Sequence, residues 1–180
     1  NFTLLGIRLL VGRPIEDMKN RAFAPEEIFG EFARELTHRL YDATSWDARF
    51  ECLDHAIAMR IGDPLDVPAG VRCAWRRLVA SRGRSSIASI VQEVGWSQRH
   101  FIAQFKHEIG VSPKVFARML RFGRVVRAIR AGQTADLADL AVASGYYDQS
   151  HLNRDVREFA GTTPGELLDS LLPDRGGFAV

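Results

Sequence analysis

The chain has 180 residues, enough for one or two domains with a buried core, and its 46% hydrophobic and 26% charged residues are ordinary for a globular protein. No apolar run approaches the roughly 20 residues of a membrane span, and no signal-peptide pattern is present, so the expectation is a cytoplasmic protein without a membrane contact. The net charge of +2 hides a division: residues 1–70 hold 8 basic and 12 acidic groups, residues 71–131 hold 13 and 2, and residues 132–180 hold 3 and 8. A basic middle between acidic flanks is the footprint of a polyanion binder, although on charge alone a solvated arginine-rich helix explains it equally well.

Phe2 to Val11 is short and aliphatic and ends at Gly12-Arg13-Pro14, which predicts a strand over about 2–11. A strand needs a partner, so the expectation is a remnant of a β-rich N-terminal domain in a chain that is a piece of a longer one. Helices are predicted over about 25–42 and 46–61. Pro25, Glu26 and Glu27 suit the first turn of the former, and Thr44 or Ser45 caps the latter. Their stripes, Ile28, Phe29, Phe32, Leu36 and Leu40 against Phe50, Leu53, Ile57 and Ile61, predict a helical hairpin. Residues 1–62 thus read as the end of an N-terminal domain. Two prolines and two glycines between Gly62 and Gly70 mark a linker over 63–70. Cys52 and Cys73 read as reduced, packed thiols.

From residue 71 the chain repeats itself. Ile87-Ala88-Ser89-Ile90 faces Leu137-Ala138-Asp139-Leu140, and Gly95-Trp96 faces Gly145-Tyr146. After one extra residue, Gln98, His100, Phe101, Phe105 and Lys106 face Gln149, His151, Leu152, Val156 and Arg157. Gly110-Val111-Ser112-Pro113 closes one copy and Gly161-Thr162-Thr163-Pro164 the other. Each copy reads as helix, glycine turn, helix, the form of a helix-turn-helix. A helix over 113–131 joins them, and a capping box at Thr163–Glu166 opens a short helix to Leu172. The expected fold is all-α: a double helix-turn-helix over 71–172, preceded by the hairpin and the short strand, and followed by a tail at 173–180.

A reading helix anchors one face in a core and offers hydrogen-bonding groups from the other. With Phe101 and Phe105 inward, Gln98, Arg99, Ile102 and Ala103 are expected at base edges. With Leu152 and Val156 inward, Gln149, Ser150, Asn153 and Arg154 are the second set. Arg suits guanine, Asn or Gln suits adenine, and apolar groups suit the thymine methyl. Ser97, Lys106, Arg121, Asp148 and Arg157 are the expected phosphate-side contacts. No catalytic residue, metal-ligand set or cofactor is predicted, so the chain is not expected to be an enzyme.

Gly145-Tyr146-Tyr147-Asp148-Gln149-Ser150-His151-Leu152-Asn153-Arg154 with Gly161-Thr162-Thr163-Pro164 resembles the second-unit signature of AraC/XylS-type bacterial transcription regulators. Trp96-Ser97, Phe101, Phe105-Lys106 and Gly110-Val111-Ser112-Pro113 support it in the first unit. The likeness covers about 71–172. Asp155-Val156 departs from it, because that family more often has an apolar or small residue followed by Phe. The resemblance implies a sequence-specific regulator, more often an activator, whose partners are double-stranded DNA and RNA polymerase. It further implies a small-molecule effector acting through an upstream sensor, and a homodimer. Two other classes remain open. Some DNA-alkylation repair proteins share such a domain, but they need an activated cysteine or zinc-bound cysteines. A protein-interaction module built on the 24–61 hairpin would show no salt-dependent affinity for duplex DNA.

Overall fold

The computed structural model describes residues 3–18, 21–61, 67–132 and 136–171. Of the predicted linker at 63–70, residues 63–66 lie outside the described residues, as does the predicted tail at 173–180. Among those described there are eleven α-helices, one 3₁₀ turn and no strand, so the fold is all-α. The described residues gather into two compact units that do not follow chain order: those up to 72 with 99–112, and those of 73–98 with the ones from 113 on.

The first unit corrects the expected strand. Residues Leu4–Val11 form helix α1. Thr3 Oγ1 accepts the Gly6 N–H at 3.0 Å at its start, and Gly12 closes it in the left-handed region at φ 77°. The aliphatic run has no strict alternation, so strand and helix were both open to it, and the two caps decide. A 3₁₀ turn follows at Ile15–Met18. The single helix expected over 25–42 is two, α2 (Pro25–Phe29) and α3 (Glu31–Asp42). They divide at Gly30, whose φ of 59° with ψ of −132° is open to little but glycine.

Helix α4 (Trp46–Arg60) starts where Ser45 Oγ accepts the Ala48 N–H at 3.1 Å, and it packs on α3. The hairpin is present, but its stripe is covered only in the middle. Phe29, Phe32, Leu36, Leu53 and Ile57 line a cavity of about 270 Å³. Phe50 and Ile61, expected inward, are exposed, and Phe50 lies against exposed Trp46 with ring centroids 6.1 Å apart.

Helix α5 spans Ala69–Ala80, with Val71, Ala74 and Leu78 buried. Val67, within the span expected as linker, is fully buried, and its carbonyl accepts from Arg72 at 2.6 Å. Then come α6 (Ile87–Val94), α7 (Gln98–Ile109), α8 (Pro113–Arg130), α9 (Leu137–Ser144), α10 (Gln149–Ala160) and α11 (Pro164–Leu171). The core of the second unit is Val125 and Ile129 from α8, Leu140 and Ala141 from α9, Tyr146, Leu152 and Val156 at and within α10, and Leu167 from α11. Fully burying one such residue, Leu152 for example, stabilises by about 1.5–3 kcal/mol. Trp75 of α5 stacks on Phe116 of α8 at 4.3 Å between ring centroids. Between these elements the turn at Gly83 (φ 78°) runs against α8 so closely that a Cβ would collide with the Ala117 carbonyl.

Candidate nucleic-acid interface

Each second helix of the repeat begins after a glycine that ends the helix before it. Gly95 closes α6 at φ 74° and Gly145 closes α9 at φ 90°, both in the left-handed region. Asp148 then caps α10, its Oδ1 accepting the His151 N–H at 2.7 Å. Once started, both helices bury one side. Phe101 and Phe105 in α7, and Leu152 and Val156 in α10, have no exposed surface. The other side of α7 leaves Gln98, Arg99 and Ala103 exposed, with Ile102 half-buried. On α10, Gln149, Ser150 and Arg154 are exposed and Asn153 is half-buried. Arg154 reaches only its own helix, donating Nε to the Ser150 carbonyl at 3.5 Å, and Asn153 Oδ1 is buried without a hydrogen-bond partner.

The expected phosphate-side residues divide. Ser97 and Arg157 are exposed. Lys106 is exposed but engaged: its Nζ lies 3.2 Å from Glu16 Oε1 in the 3₁₀ turn. Arg121 is half-buried and turned to structure. It donates Nη1 to the Gly83 carbonyl at 2.7 Å and lies 5.5 Å above the Tyr146 ring. Asp148 is a cap.

Beneath each exposed face sits a buried ion pair that the sequence did not suggest. Arg8 of α1 donates Nε to Glu108 of α7 at 2.6 Å, both side chains being about 8% exposed. The same segment adds Asp17, 4.0 Å from His107, and Ile15, whose methyl would lie 2.6 Å from a Cβ built on Gly110. In α10 the buried carboxylate is Asp155. Arg118 of α8 donates to its Oδ1 from Nε at 2.9 Å and from Nη2 at 2.8 Å, and also grips Glu158. Asp155 therefore points inward and is neutralised by Arg118. Tyr146 lies edge-on to His151 at 5.1 Å. Its hydroxyl meets no partner at hydrogen-bond geometry, yet burial and then the Asp155 carboxylate push its pKa upward. Arg118 is held protonated by its hydrogen bonds to Glu158 and Asp155, and its guanidinium in turn holds Glu158 below the usual carboxylate range.

Sequence reasoning also missed Tyr147, 90% exposed in the turn before α10. It stands two residues after the signature glycine, Gly145. Cys73 donates Sγ to Glu93 at 3.4 Å, and burial followed by Glu93 pushes its thiol up, the reverse of what an activated nucleophile requires. Among the described residues, no group of three His, Cys, Asp or Glu could hold a metal ion, and no helix is long and apolar enough to cross a membrane.

Two glycine-broken helix pairs in one chain, each presenting a polar face over a buried one, define a tandem helix-turn-helix module. Residues 90–170 match the family model described as a helix-turn-helix domain. They are an AraC/XylS-type DNA-binding domain, and the chain is a DNA-binding transcription regulator. Comparisons with curated proteins and with solved structures returned no match.

Proposed function

We propose that α7 and α10 are the reading helices of a sequence-specific regulator that acts without catalysis, and that residues 71–172 serve as its DNA-binding domain. Gln98, Arg99, Ile102 and Ala103 meet bases in one major-groove segment. Gln149, Ser150, Asn153 and Arg154 meet them in the next. Lys106, Arg157 and Ser97 take phosphates, while Arg121 and Asp148 hold the elements that present these groups. The observation that carries this reading is the split of each helix: its first exposed turns hold Gln, Arg or Ser, and its opposite side is fully buried. Arg and Gln forks at the start of a helix are the groups that discriminate guanine and adenine.

The wider reading is a cytoplasmic activator that contacts RNA polymerase, answers a small-molecule effector and works as a homodimer. It rests on the family resemblance alone. The test is selection of bound duplexes from a random pool, followed by anisotropy titration against salt. The reading expects an enriched asymmetric sequence and a steep fall in affinity with salt. Selection of no sequence, with no salt dependence, would return the chain to the class of interaction modules.

A further inference from the structure

The cations of the basic middle are not equally available. Arg77 is paired with Glu93, Lys106 with Glu16, and Arg118 with Asp155 and Glu158. Arg72, Arg84 and Arg121 donate to backbone carbonyls. Among the described residues Arg82, Arg124 and Arg127 do none of this, and they line one cavity of about 790 Å³ in the second unit. Arg124 and Arg127 stand three apart on α8, and so share a face. Arg82 comes from the turn after α5. Asp136 and Asp139 also line the cavity, but neither lies within ion-pair distance of these arginines among the described residues, and Asp136 is occupied in capping α9.

A cluster of like charges with no counter-ion is unfavourable in the folded chain and becomes favourable when an anion enters it. The repulsion is felt at Arg124, whose hold on its proton is weakened by burial and then by Arg84, Arg82 and Arg127. The turn that carries Arg82 is fixed. Arg82 sits at φ 55°, a conformation that side chains with a Cβ rarely adopt. Its N–H donates to Val79, the Gly83 N–H donates to Leu78, and the Gly83 carbonyl is held by Arg121. Three guanidinium forks on two fixed elements match the oxygens of phosphate.

We infer that Arg82, Arg124 and Arg127 form a phosphate site separate from both reading helices, and that the backbone of duplex DNA supplies the phosphates. This rests on the proposed function, since it assigns the anchoring of the same DNA. The site takes no part in choosing the sequence, because phosphate contacts position a protein without reading bases.

The test uses the full chain with Arg82, Arg124 and Arg127 changed together to Gln, and in a second variant to Lys. For the Gln variant the slope of log K against log salt is expected to fall by about 0.9 for each phosphate no longer neutralised, hence by about 2–3. Affinity should fall by the same factor for a selected and a random duplex. The Lys variant should keep most of the slope. Circular dichroism should be unchanged and melting unchanged or higher, since no ion pair among the described residues is broken and the repulsion among the three arginines is relieved. An unchanged slope, or a weakening confined to the selected duplex, overturns the inference. Titration with pyrophosphate alone separates the two sources of phosphate. If the wild type binds pyrophosphate, the Gln variant does not, and the DNA slopes agree, the site serves a free phosphate ligand and the DNA assignment is overturned. If Arg99→Ala alters site selection while the Gln variant keeps its slope, this inference fails alone. If the wild type shows no salt-dependent affinity, the proposed function fails with it.

Discussion

Helices α7 and α10 occupy the same place in the two copies of the repeat, and each is fixed by an arginine gripping a buried carboxylate. The grips differ in origin. Asp155 of α10 is held by Arg118 from α8, inside the same helix-turn-helix assembly. Glu108 of α7 is held by Arg8, 100 residues earlier in the chain. The two acids are not equivalent in the repeat: Gln104 stands where Asp155 does, and Phe159 where Glu108 does. The repeat therefore kept the buried apolar side of the helix, Phe101 and Phe105 against Leu152 and Val156, and solved the anchoring twice. One helix depends only on its neighbours, and the other depends on a segment outside the repeat. The N-terminal segment touches α7 directly, through Arg8 on Glu108.

The largest effects should come from breaking either grip. Removing one partner of a buried ion pair strands the other charge, at a cost of about 3–5 kcal/mol. Arg118→Ala, which strands the buried Asp155 carboxylate, is expected to show this in urea or thermal unfolding. Arg8→Ala should cost a similar amount, with local exposure of α7 amides in hydrogen exchange while those of α10 stay protected. Equal exposure of both helices in the Arg8 variant would dissolve the contrast between them.

Next in size are the reading faces. Arg99→Ala and Arg154→Ala should each weaken a selected site by about 1–3 kcal/mol and relax base preference at separate positions. The stability of each variant should be unchanged, because neither guanidinium is paired with a carboxylate. If both variants selected the wild-type sequence unaltered, the faces assigned to α7 and α10 would be wrong.

Smaller still is the effect of the acidic turn. Lys106 is half-exposed and its bond to Glu16 is a surface pair, of the kind worth roughly 0.2–1 kcal/mol. Glu16→Gln is expected to raise duplex affinity by up to about fivefold by freeing Lys106. In a Lys106→Gln background the same change should do much less. An equal gain in both backgrounds would mean that Glu16 acts through net charge and not through this pair.

The contrast also explains what was legible in the sequence. Local signals survived: Gly95 and Gly145 end α6 and α9, Asp148 caps α10, and the Thr163–Glu166 box opens α11. Period-based inference failed where two templates fitted one run, as in the helix at Leu4–Val11. It failed again where a single glycine was read through, as at Gly30. The grips were illegible because each joins residues far apart in the chain, 37 for Arg118–Asp155 and 100 for Arg8–Glu108. Asp155 reads in the sequence only as a departure from the family's pattern, because nothing near it in the chain points to Arg118 as its partner. The same holds for Arg121, whose charge says phosphate while its position says Gly83 and Tyr146.

The smallest predicted effect concerns α11, which closes the second copy and has no counterpart tied to the N-terminal segment. Glu166 accepts from the Thr163 N–H at 2.8 Å, from Thr163 Oγ1 at 2.9 Å and from Thr162 Oγ1. These bonds favour the charged carboxylate and lower its pKa to about 2, the Thr162 hydroxyl contributing most. Because the folded value lies below the unfolded one, the stabilisation is fully present above about pH 4.5. It is lost as pH falls toward 2. Glu166→Gln should remove this acid-range term while leaving neutral-pH binding to DNA intact. Carbon-detected NMR titration of the side chain would check it directly. A Glu166 midpoint at the ordinary glutamate value would mean that the box is not formed in solution. The start of α11 would then rest on Pro164 and the burial of Leu167 alone.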